Sequence, residues 1–74
     1  MSMATKIRRA RERKGWSQEE LARRVKITQA AVSRLESGLQ KNPTRDVIVS
    51  LALELGMSTD YLLGLYEMAE EKMA

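Results

Sequence analysis

The sequence predicts an all-α domain of five short helices, on the strength of how helices start, how they stop, and chain length. Ser17, Thr28 and Ser58 each precede an apolar-periodic run, and each is framed by an apolar pair: Trp16 with Leu21, Ile27 with Val32, Met57 with Leu62. A hydroxyl that accepts a first-turn N–H, stapled by apolar residues on either side of the entry, marks a helix N-terminus. The stops are as regular. All four glycines, Gly15, Gly38, Gly56 and Gly64, fall just after a run that reads as helical, where a left-handed residue costs least. At 74 residues there is room for one domain and one small core.

Each element follows in order. Over 3–14, Met3, Ile7 and Ala10 share one face, with Lys6, Arg9 and Arg13 elsewhere. Over 17–25, Ser17 and Glu20 have capping-box spacing, and Leu21, Ala22 and Val25 turn inward. The run 28–37 buries Val32 and Leu35, with Ala31 close to the preceding helix. Pro43 stands at the start of the next run, where its missing N–H does no harm. Over 44–55, Ile48, Leu51, Ala52 and Leu55 have helical spacing, although Val47, Val49, Leu51 and Leu53 also alternate like a strand. Length and the lack of a partner strand decide for helix. The fifth run is 58–64, and residues 65–74 form a candidate sixth segment.

Only Lys26 and Ile27 separate Val25 from the Thr28 cap. Helices joined so tightly cross steeply, which is helix-turn-helix geometry over 17–37. The second helix then projects Gln29, Ala30, Ser33 and Arg34, which are small, uncharged or cationic groups able to approach DNA base edges.

Charge points the same way. Residues 1–45 hold twelve Lys and Arg against four Glu, and residues 46–74 hold one Lys against six acids, so the net +3 conceals a basic half and an acidic end. A basic half suits a polyanion; the competing reading is an Arg-rich solvated surface. With no Cys and no His, neither a disulfide nor an imidazole metal site can hold this small fold together. Packed helices, or oligomerisation, must do so. The lack of Cys fits a reducing compartment. No apolar run approaches the ~20 residues that span a membrane, and none in 1–20 suits a signal peptide. The expectation is a cytoplasmic protein with no membrane contact.

Catalysis finds no support. Ser17 has no imidazole or thiol anywhere to activate it, and its capping role accounts for it. Glu67, Glu70 and Glu71 lie on the acidic tail without an imidazole or Gly-rich loop beside them.

The run Gly15-Trp16-Ser17-Gln18-Glu19-Glu20-Leu21-Ala22, then Thr28-Gln29 and Val32-Ser33-Arg34-Leu35-Glu36-Ser37-Gly38, resembles the phage-repressor and Cro family, the XRE-type helix-turn-helix. The likeness continues through 51–58 and 60–64, so it covers 4–64, nearly the whole chain. It implies a lambda-repressor-like five-helix domain with 65–74 as a C-terminal extension. It also implies roles. Gln29 reads adenine in the major groove, Ala30 meets a thymine methyl, and Ser33 and Arg34 lie a turn further on. Ser17, Gln18, Thr28, Ser37, Lys41 and Asn42 hold phosphates, with Gln18 helped by its helix N-terminus. Arg11 and Glu36 form a structural ion pair that fixes the recognition helix.

Two positions depart from the family pattern. Lys26 replaces a common turn Gly, at roughly 1 kcal/mol if φ is positive. Arg45 stands where an apolar residue is common, so the start of that helix is either looser or anchored to phosphate. The expected function is a sequence-specific regulator of double-stranded DNA, a repressor in the family's usual manner, with no cofactor and no evident small-molecule effector. Two alternatives stand beside it: an antitoxin-like protein that also holds a partner protein, and an interaction module that has lost DNA binding. A two-fold operator calls for a homodimer. Leu62, Leu65, Tyr66, Ala69 and Met73, at i, i+3, i+4, i+7 and i+11, offer a stripe for it, with Leu53 and Val47 as a second patch.

Overall fold

A computed structural model of the chain describes residues 1–65. Five helices follow in order: α1 (Met3–Arg13), α2 (Gln18–Val25), α3 (Gln29–Ser37), α4 (Arg45–Leu55) and α5 (Thr59–Leu63). No strand occurs among the described residues. Each helix is entered through a hydroxyl cap. Ser2, Ser17, Thr28, Thr44 and Ser58 accept from the amides of Thr5, Glu20, Ala31, Val47 and Tyr61. Thr44 is therefore the α4 cap, and Pro43 stands one place ahead of it, outside the helix.

The Ser17 box closes on one side only. Its oxygen accepts from the Glu20 amide at 3.0 Å, but the Glu20 carboxylate turns to Arg23 and Arg24, at 2.6 and 2.7 Å. The Arg23 hydrogen bond comes first among the causes that hold this carboxyl below the usual carboxylate range. Two guanidiniums outcompete one backbone N–H for the same oxygens. The pair adds its small stabilisation at neutral pH and loses it as pH falls through the lowered pKa, and solvent screening keeps it small.

The helix ends share a construction. The amides of Trp16, Ile27, Met57 and Leu65 donate to Arg11, Ala22, Ala52 and Asp60 carbonyls at 2.9–3.2 Å, each across a left-handed residue. Because the loops are short, Trp16, Ile27 and Met57 each close one helix and staple the next, and all three pack against the core. Lys26 has φ 60° and ψ 43°, so the turn does force a side-chain-bearing residue into the left-handed region. Lys26→Gly is expected to stabilise the domain by about 0.5–1 kcal/mol, the relief of strain less the extra entropy of an unfolded Gly. Urea denaturation checks it; an unchanged midpoint would show that the turn carries no strain.

Among the described residues twelve apolar side chains make the core, with Ile7, Leu21, Val32, Leu51 and Leu62 fully buried. Three placements differ from the sequence reading. Lys6, expected off the core face, is 2% exposed. Its ammonium donates to the Tyr61 carbonyl at 2.6 Å and lies 4.5 Å from that ring's centre, so charge and stem tie α1 to α5. Leu62 belongs to the core, and α5 stops at Leu63 with Gly64 left-handed, so Leu62 is not available as the first member of the expected apolar stripe. Tyr66, Ala69 and Met73 lie outside the described residues. Val47 packs against the core, while Val49, Leu53, Leu63 and Leu65 are each exposed.

Candidate nucleic-acid interface

The core side of α3 is set by Val32, Leu35 and Glu36. At 100° per residue, the other side gathers Gln29, Ala30, Ser33, Arg34 and Ser37 within an arc of roughly 140°. All five are exposed. Among the described residues, nothing forms a hydrogen bond or ion pair with the side chains of Gln29, Ala30, Ser33 or Arg34. Amphipathic spacing on a nine-residue helix thus leaves one uncommitted polar face, held out by a buried apolar one.

What holds that face still is a carboxylate cluster. Arg11 Nε and Nη2 donate to Glu36 Oε2 and Oε1 at 2.6 and 3.0 Å, a two-pronged pair. Arg11 Nη1 donates to the Trp16 carbonyl at 2.8 Å, and Gln18 Nε2 to Glu36 Oε1 at 3.1 Å. Two segments (α1 through Arg11 and the first residue of α2 through Gln18) therefore converge on one acid of α3, and Arg11 ties the loop before α2 to the same cluster. The hydrogen bond to Glu36 leads the causes that raise the Arg11 pKa, so this guanidinium stays charged at any ordinary pH.

The phosphate candidates divide by what their hydrogens are doing. Ser17 and Thr28 use an oxygen lone pair to cap, which leaves each hydroxyl hydrogen to donate outward. Gln18 is half-buried and turned to Glu36; its amide nitrogen keeps a second hydrogen for a phosphate. Ser37 is different. Its hydroxyl donates to the Arg34 carbonyl at 3.2 Å, so a phosphate, which only accepts, must first break that bond. Lys41 and Asn42 are exposed in the loop between α3 and α4, and Arg45 opens α4 beside them. These three rim a groove of about 490 Å³ whose wall includes Ile48, Val49 and Leu63.

Arg24 is a residue that the sequence reading did not single out. Arg24 sits 4.1 Å from the Trp16 ring centre, pairs with Glu20, and reaches Glu54 of α4 at 3.7 Å. The Glu20–Arg24 spacing of i, i+4 was a signal for half of this. The Glu54 contact, between helices, had none. Among the described residues no group of three potential ligands could hold a metal ion, and no helix is long and apolar enough to cross a membrane.

A short turn between two capped helices, the second with a free polar face, defines a helix-turn-helix. Residues 7–62 match the family model described as Helix-turn-helix, and the chain belongs to the XRE-type helix-turn-helix family. It is 31% identical over 71 residues to the HTH-type transcriptional regulator ImmR of Bacillus subtilis (strain 168), a match covering 96% of this chain and 55% of that protein. The chain thus spans about half the length of that relative. In structure it is similar to the P22 c2 repressor in complex with a synthetic operator, with a TM-score of 0.82 and 28% identity over 88% of this chain and 97% of that one. It is also similar to SinR, the master regulator for biofilm formation, in complex with DNA. There the TM-score is 0.77 and the identity 30%, over 82% of this chain and 97% of that one.

Proposed function

We propose that the protein is a sequence-specific, double-stranded DNA-binding repressor of transcription that reads the major groove with α3. The observation that carries this is the uncommitted face of Gln29, Ala30, Ser33 and Arg34 on a helix anchored through Glu36. In this reading Gln29 pairs with adenine N6 and N7, and Arg34 reaches guanine or a phosphate. Ser17, Gln18, Thr28, Lys41 and Asn42 grip the backbone, and Arg45, exposed beside Asn42, joins them. The reading needs neither metal nor cofactor and places the protein in the cytoplasm. The P22 repressor and SinR, both solved with DNA, support it by likeness. No observation favours the antitoxin-like alternative.

A homodimer completes the proposal, since one such helix reads few base pairs and a two-fold operator needs two. Support comes from Val49, Leu53, Leu63 and Leu65, apolar residues of α4 and the α5 end left in solvent. Repression follows from occupying a promoter.

A gel-shift titration at several salt concentrations tests the reading. Lys41→Ala is expected to weaken specific and random duplexes alike and to flatten the salt dependence by about one phosphate. An unchanged salt slope would remove Lys41 from the backbone contact.

A further inference from the structure

We propose that Leu39 is a DNA-contact residue, packing its side chain on an apolar C–H surface at the edge of the half-site. This deepens, and rests on, the DNA-binding reading above.

The argument starts from the five helix ends. After each left-handed residue (Gly15, Lys26, Gly38, Gly56 and Gly64) comes a large apolar one: Trp16, Ile27, Leu39, Met57 and Leu65. Such a residue ordinarily folds back onto its own helix. Trp16, Ile27 and Met57 do so. Leu39 does not; it is 78% exposed, the most exposed large apolar side chain among the described residues. The backbone gives the reason. The closing bond of α3 runs from the Gln40 amide to the Arg34 carbonyl at 3.1 Å, whereas the other four ends close from the apolar residue itself. The turn is one residue wider, and Leu39 is carried outward on it.

The surroundings select the occupant. Leu39 lies between Ser37 and the Lys41–Asn42 pair, and Gln40 and Pro43 fold back beside Arg34 of the reading helix. From 37 to 45 the charged side chains are Lys41 and Arg45, both exposed, with no carboxylate among them. A second copy of this basic loop brings like charge against like. A duplex brings phosphates to the lysine and, next to them, the C–H faces of deoxyribose or the 5-methyl of thymine. A leucine at that edge adds affinity without adding charge. Leu65, 75% exposed, is followed in sequence by Glu67, Glu70 and Glu71, charges that do not suit a polyanion.

The test is Leu39→Ala in the full chain, titrated against an operator selected from random duplexes at three salt concentrations. Affinity is expected to fall about 4- to 15-fold, the loss for one to two buried CH₂ groups. The salt slope should stay at the parent value because no phosphate contact goes, and the melting temperature should not move. Uracil in place of flanking thymines separates the two surfaces. If the methyl is the contact, the parent loses as much on uracil DNA and Leu39→Ala loses nothing more. If the sugar is the contact, the parent is indifferent to uracil. Parental affinity in Leu39→Ala overturns the proposal, as does a slope flatter by one phosphate, which assigns the effect to the loop's charges. A parent protein that binds no duplex at any salt overturns the DNA reading first, and the Leu39 contact with it.

Discussion

Glu36→Ala is expected to destabilise the domain by about 3–5 kcal/mol. Its carboxylate is 4% exposed and Arg11's side chain 13%, so removing the acid leaves a guanidinium nearly out of water with one carbonyl for company. Gln18 loses its partner in the same step. A domain of this length has a total stability of about 4–11 kcal/mol, so much of it goes. Thermal unfolding followed by circular dichroism reads the loss as a fall of several degrees per kcal/mol. Arg11→Ala leaves the acid uncompensated and orphans the Trp16 carbonyl, with a similar outcome. Removing both should cost less than the two single losses added together. Strict additivity would mean that the pair does not interact in solution.

Gln29→Ala is expected to leave stability unchanged and to cost about 1–3 kcal/mol on the preferred operator, roughly 5- to 150-fold, with little change on random duplex. The side chain is exposed at the first residue of α3, where truncation leaves no buried group without a partner. Its effect therefore reports the groove and not the fold. The mutant should also tolerate replacement of the adenine that the parent requires. An operator bound equally well by parent and mutant would take the reading role from Gln29.

Much of this was legible because helix punctuation is local. A hydroxyl three residues ahead of an amide, or a glycine after an apolar stripe, depends on a few neighbours, and the caps at Ser17, Thr28 and Ser58 stand where that spacing put them. The strained Lys26 was visible through the family resemblance, which puts a Gly in that turn, and its φ of 60° is the conformation a Gly would take most easily. What escaped was non-local or competitive. Lys6 meets Tyr61 across 55 positions, and no propensity marks a lysine for the core. Glu20 had three suitors, one amide and two guanidiniums, and charge decided among them. The bond from the Ser37 hydroxyl to the Arg34 carbonyl, which competes with any donation to phosphate, escaped as well. Leu62, read as the first member of an apolar stripe, lies in the core instead, because α5 turns it against the other helices before ending at Leu63.

The central claim is that the free face of α3 discriminates between sequences. It is tested most directly by measuring affinity for a duplex selected from a random pool beside a scrambled duplex of equal length, at one physiological salt concentration. The prediction is a preference of at least about 10³-fold for the selected duplex, the lower range for specific over non-specific binding. Equal affinities, both falling together with salt, would mean a basic surface that attracts any polyanion, and would contradict the assignment of α3 as a reader of sequence.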